Sequence, residues 1–135
     1  MDFVPNKLTS VIKHAPELSR AHLRSYMRQI LWGLANMHAS RILHRDLKPD
    51  NILMTQENEI FLADFGCARH VKHGSDGKQH GWAPGLQTRD LTTGAHIFTQ
   101  HYRAPEVIFG STDYGPPADV WSAGIIFLDM IVGDY

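Results

Sequence analysis

The sequence predicts an α+β fold, mainly helical, with short β-hairpins. Two stretches, Ser19 to Ser40 and Ala118 to Val132, carry apolar residues at the three-and-four spacing of a helix. Two apolar triplets, Ile52-Leu53-Met54 and Ile60-Phe61-Leu62, flank the polar turn Thr55 to Glu59, which is the pattern of a hairpin. Between the first helix and the hairpin lies a polar octet, His44-Arg45-Asp46-Leu47-Lys48-Pro49-Asp50-Asn51. The chain is organised around it.

Each element has its own signal. Met1 to Val4 is short and apolar apart from Asp2. Leu8, Val11 and Ile12 suggest one short helix ending before Pro16, because the residue before a proline avoids helical backbone. Ser19 is the expected N-cap of the next helix. Its stripe of Leu23, Tyr26, Met27, Ile30, Leu31 and Leu34 is expected to be core, and the helix to end around His38 to Ser40. Arg41-Ile42-Leu43 reads as a short strand leading into the octet. Residues 67–101 are polar, histidine-rich and punctuated by Gly74, Gly77, Gly81, Gly85 and Gly94, and read as a loop. Pro105 suits the first turn of a short helix through Phe109. Ser111 to Pro117 is a turn-rich connector. The helix from Ala118 to Val132 is apolar on several faces and is expected to be buried, with Gly133 as its stop. There is no internal repeat and no domain boundary.

Composition bounds the function. A chain of 135 residues supports one domain with a modest core. A net charge of -1 supplies no global basic field, so neither nucleic acid nor an anionic membrane is expected as a partner. The most apolar run, Ile125 to Val132, is cut by Asp129 and falls short of a membrane span. No secretory signal is visible at the N-terminus. Cys67 is the sole cysteine, so an internal disulfide is impossible; it is read as a small, partly buried side chain. His70 and His73 stand three residues apart, with His80, His96 and His101 nearby. Zinc sites combine tighter Cys and His sets on an ordered scaffold, so these are read as loop residues.

The octet carries chemistry. Asp46 can accept a proton from a hydroxyl, Lys48 can hold a phosphate oxygen, and Asn51 can offer a carbonyl oxygen to a hard cation. A second carboxylate follows in Asp64-Phe65-Gly66, and Ala104-Pro105-Glu106 comes later. In this order the motifs resemble the catalytic loop, metal-binding motif and activation-segment end of the eukaryotic protein kinases. Lys48 points to the serine/threonine type. Asp64-Phe65-Gly66-Cys67-Ala68-Arg69 and Tyr102-Arg103-Ala104-Pro105-Glu106 resemble most nearly the cyclin-dependent kinases. His101 stands where that group usually has tryptophan, which leaves substrate preference open.

The resemblance implies a protein-kinase-like fold, mainly the core of the helical C-lobe. Residues 1–135 would be a partial domain running from the hinge to the central buried helix, with the N-lobe and the last C-lobe helices absent. It implies ATP and Mg2+ as cofactors, a protein substrate, a cyclin-like activator in a full-length form, and an intracellular setting, cytoplasm or nucleus. Asp46 and Lys48 would be catalytic. Asp2 and Val4 in the hinge, together with Lys48, Asn51, Leu53 and Asp64, would bind the nucleotide, and Asn51 and Asp64 would hold the metal. Arg45 and Arg69 would receive an activation-loop phosphate, with Thr92 or Thr93 as the modified residue. His44, Phe65, Thr99, Glu106, Asp119 and Trp121 map onto scaffold positions: His44 and Phe65 stack between lobes, Thr99 bridges Asp46 and Lys48, and Asp119 bonds the catalytic-loop backbone. Glu106 is expected to be a buried carboxylate lacking its arginine. No glycine-rich phosphate loop and no valine-alanine-isoleucine-lysine strand occurs in the 135 residues. The polypeptide by itself is therefore expected to be inactive. The alternatives are a non-catalytic kinase-like binding module and a small-molecule kinase of related fold.

Overall fold

The computed structural model of the chain describes residues 6–13, 18–70, 99–111 and 114–133. Asp2, Val4, Thr92 and Thr93 lie outside the described residues. Among the elements, α2 (Arg20–Ala39) and α4 (Pro116–Val132) are the two long helices, and they pack on one another. Ser19 caps α2, its hydroxyl accepting the His22 amide at 3.2 Å. Every fourth residue along α2, namely Tyr26, Ile30, Leu34 and His38, is buried. Leu31, expected in the core, is exposed because it falls off that ridge.

Two small sheets frame the helices. One has the order β1-β3-β4, from β1 (Asn6–Lys7), β3 (Ile52–Met54) and β4 (Ile60–Leu62). The hairpin register pairs Ile52 with Leu62 and Met54 with Ile60. Gly33 lets α2 lie close over β4: a Cβ there would sit 3.0 Å from Leu62 Cδ1. The second sheet pairs β2 (Ile42–Leu43) with β5 (Arg69–His70). That pairing corrects the reading of 67–101 as loop from its start: residues 69 and 70 find their ladder partners in the strand that enters the octet.

Two short helices, α1 (Leu8–Ile12) and α3 (Pro105–Ile108), complete the set. The main core joins Leu8 and Ile12 of α1 to Tyr26, Ile30 and Leu34, to Leu47 and Ile52, and to Ala123, Ile126 and Met130. A smaller cluster of Leu43, Ala104, Tyr114 and Ala118 ties β2 to the start of α4.

The expectation that α4 is buried is half corrected. Ala118, Asp119, Ser122, Ala123, Ile126 and Met130 face inwards. Val120, Trp121, Leu128, Ile131 and Val132 are exposed, Trp121 by 44%. An apolar groove of about 970 Å³ runs between the outer faces of α2 and α4. Among the described residues no helix is long and apolar enough to cross a membrane.

Candidate active site

The octet is shaped by one buried carboxylate. Asp119, 1% exposed on the first turn of α4, accepts the His44 amide on Oδ2 and the Arg45 amide on Oδ1, each at 2.9 Å. Nε2 of His38 lies 2.8 Å from the same Oδ2; with a carboxylate as acceptor, the proton belongs on Nε2. These contacts hold Arg45 in left-handed backbone at φ 67, a conformation that costs a non-glycine residue about 1–2 kcal/mol. The turn re-aims the chain so that Asp46 follows at the edge of the core. His44 is fixed from its other side: its Nε2 donates to the Ala63 carbonyl at 3.1 Å.

Around Asp46 three partners converge. Thr99 donates its amide and its hydroxyl to Oδ1, at 3.0 and 2.8 Å. Lys48 Nζ lies 3.0 Å from Oδ2 and 3.1 Å from the Thr99 hydroxyl. Asn51 Nδ2 donates to the Asp46 carbonyl at 2.8 Å and to Oδ2 at 3.2 Å. Burial pushes the Asp46 carboxyl up. The hydrogen bonds from Lys48 and Thr99, with the Lys48 charge, outweigh it and hold the group below its ordinary value. Asp46 is therefore a carboxylate at neutral pH; its lone pairs are taken by Thr99, Lys48 and Asn51, so an oxygen becomes free to accept a proton only when one of these, such as Lys48 on Oδ2, withdraws.

The residues fit a hard cation. Both donor contacts of the Asn51 amide go to Asp46, which leaves its carbonyl oxygen for another role. The Asn51 backbone carbonyl accepts the Ala63 amide at 2.8 Å, so Asp64 follows directly beside it. Asp64 is exposed, in left-handed backbone at φ 59, with Oδ1 accepting the Gly66 amide at 3.3 Å. One carboxylate and one amide oxygen suit Mg2+, which keeps several waters and takes phosphate oxygens. Among the described residues no group of three or more His, Cys, Asp or Glu side chains could hold a metal; His73, His80 and His96 lie outside the described residues.

Other candidates fall around this centre. Phe65 leans on His44 with ring centroids 5.6 Å apart and is 53% exposed. Leu53 pairs with Lys7 and Phe61 in the sheet and is partly exposed. Arg45 is 5% exposed; its Nε donates to the Cys67 carbonyl at 2.8 Å, and its buried Nη1 has no acceptor among the described residues. Tyr114 is buried between charges. Burial holds its phenol above the ordinary value; the Arg45 and Arg69 charges oppose this and the Asp119 charge adds to it. Glu106 is partly exposed rather than buried, so the expected desolvation penalty does not operate. Trp121 faces outwards from α4.

Sequence reasoning missed His38, Tyr102 and Ser122. His38 continues the buried ridge of α2 four residues beyond Leu34, and that spacing was the available signal. Tyr102 donates to Asp129 at 2.9 Å, and its carbonyl accepts the Ser122 hydroxyl at 2.7 Å, anchoring the segment after Thr99 to α4.

Comparison with known proteins identifies the family. The profile of the protein kinase domain matches residues 1–135. Cyclin-dependent kinase 15 of Danio rerio is 40% identical over 123 residues, 91% of this chain and 26% of that protein. Cell division control protein 2 homolog 1 of Trypanosoma brucei brucei is 38% identical over 117 residues, 87% of this chain and 34% of that protein. The chain thus spans about a quarter to a third of the length of these relatives. A chain in the crystal structure of the yeast RNA Pol II CTD kinase CTDK-1 complex superimposes with a TM-score of 0.75 at 27% identity, covering 96% of this chain and 38% of that one. The chain belongs to the protein kinase family and has the protein-kinase-like fold.

Proposed function

We propose that these residues form the phosphoryl-transfer centre of a serine/threonine protein kinase of the cyclin-dependent type. The observation that carries the reading is Asp46, kept ionised and oriented by Thr99 and Lys48, with Asn51 bonded to the same residue. Asp46 takes the proton of a protein serine or threonine hydroxyl as its oxygen bonds to the γ-phosphorus and ADP leaves. Lys48 moves from Asp46 towards the transferred group and offsets its charge. Asn51 and Asp64 are the residues that would hold Mg2+, which supplies charge neutralisation on the phosphates. Leu53, partly exposed on β3, is assigned to contact with the adenine ring. Arg45 and Arg69 serve as the receptor for an activation-segment phosphate, with Thr92 or Thr93 as its source. A cyclin-like subunit belongs to the same proposal, supported by the cyclin-dependent relative and by the neighbour's presence in a complex; an intracellular location is proposed with it from the family resemblance alone.

The 135 residues contain no glycine-rich phosphate clamp, so we expect nucleotide binding without turnover from this polypeptide alone. Thermal unfolding with and without Mg·ATP tests the site. The expected result is a midpoint raised by Mg·ATP in the wild type and unmoved in Asn51→Ala and Asp64→Ala. Equal response of all three proteins would remove Asn51 and Asp64 from the site. No response in the wild type favours the second reading, a non-catalytic binding module, to which the exposed apolar faces of α2 and α4 also point. A purified monomer that turns over Mg·ATP would overturn the need for the clamp.

A further inference from the structure

The outward ridge of α2 carries four consecutive positions at spacing four: Arg20, Arg24, Arg28 and Trp32. All four are exposed, and Trp32 by 72%. Residues at this spacing stack along one face, about 6 Å apart, so the ridge runs about 18 Å. The helix contains no aspartate or glutamate, and none of the three arginines is in an ion pair with a described residue. The arrangement works against folding. Like charges four residues apart repel, and they begin at the positive end of the helix dipole, where acidic residues would be favourable. None of these four side chains is among the residues that build the core or the Asp119 hub. Arginine and tryptophan are also the residue types that dominate binding energy at protein interfaces.

We propose that this ridge is a docking surface for an acidic peptide segment of a partner protein, its carboxylates or phosphates paired with Arg20, Arg24 and Arg28 and an apolar side chain seated on Trp32. An extended peptide rises about 3.3 Å per residue, so acidic groups at alternate positions keep step with the arginines over three turns. Guanidinium groups pair carboxylates and phosphates in bidentate fashion, which selects an acidic strand over a neutral one. The proposal goes beyond phosphoryl transfer and does not depend on it, since a chain unable to turn over ATP would still present the ridge.

The test uses fluorescence anisotropy with a labelled probe, a peptide of alternating glutamates ending in leucine. Its controls are the same peptide with lysine for glutamate and with alanine for the leucine. Binding of the acidic probe that weakens with salt, drops at least tenfold in Arg24→Glu with Arg28→Glu, and drops about fivefold in Trp32→Ala is expected. Arg41→Glu, an exposed arginine off the ridge, should leave binding unchanged. Circular dichroism of each variant reports whether α2 remains helical. Equal affinity for the acidic and lysine peptides would overturn the proposal. So would an Arg41→Glu loss as large as that of the ridge variants, or binding confined to anionic phospholipid vesicles or duplex DNA with none to the acidic probe.

Discussion

The Asp119 hub and the outer faces of α2 and α4 make opposite use of the same two helices. At the hub the two carboxylates are matched: Asp119 takes two backbone amides and His38, and Asp46 takes Thr99, Lys48 and Asn51. On the outer faces Leu31, Trp32, Val120, Trp121 and Leu128 lie open to solvent. The hydrogen-bonding of Asp119 and Asp46 is met by this chain's own groups. The apolar exterior is not, and a surface of that kind is normally covered by a neighbour. The chain's geometry at the site and its behaviour as a free polypeptide are thus set by different regions.

The most severe way to break the comparison is Asp119→Ala. It strands two buried amides and His38 together, and should cost about 3–5 kcal/mol in urea unfolding, with fast exchange of the His44 and Arg45 amides. Retention of wild-type stability would show that the octet holds its shape without the Asp119 carboxylate. Thr99→Ala comes next, at about 1.5–3 kcal/mol for hydrogen bonds to a charged group. It also moves a pKa. The Asp46 carboxyl lies below its ordinary 3.8, so its contribution to stability is present above that value and lost as pH falls through the lowered one. Without the Thr99 hydroxyl its pKa rises towards the ordinary value, so the contribution is smaller and its loss is complete at a higher pH; a carbon NMR titration of Asp46 reads the pKa directly.

Ser19→Ala, remote from both regions, should cost about 1 kcal/mol through the lost cap, seen as a lower urea midpoint. Smallest in stability is the pair Trp121→Gln and Leu128→Gln, within about 0.5 kcal/mol because both side chains are already exposed. Their effect belongs to association: light scattering should show less self-association in the double variant. An unchanged scattering profile, with monomer throughout, would mean that the open apolar faces carry no liability.

Much of this architecture was legible beforehand. Apolar spacing located α2, the hairpin and α4, while Ser19, Pro105 and Gly133 marked ends that the backbone respects, Gly133 at φ 89. The neighbourhood of Asp46, Lys48, Asn51 and Thr99 was readable from motif order. What escaped depends on pairing at a distance. Strand β5 has two residues and no alternation to announce it; it exists because β2 offers free ladder groups. The half-exposure of α4 escaped because apolar composition reports which residues could be buried, not which neighbours bury them. Glu106 escaped for the same reason.

The contacts that shape Asp46 differ greatly in how far they reach along the chain. Asn51 lies five residues away, Thr99 fifty-three, and Asp119 bonds the adjoining backbone across seventy-four and seventy-five. Near pairings form early, whereas distant ones wait on closing long loops. The Asp46 carboxylate and the Asn51 amide therefore meet soon after synthesis of the octet, and the corner stays pliant until α4 emerges and locks it. The shape of the octet thus waits on a long-range closure through α4 rather than on contacts within the octet.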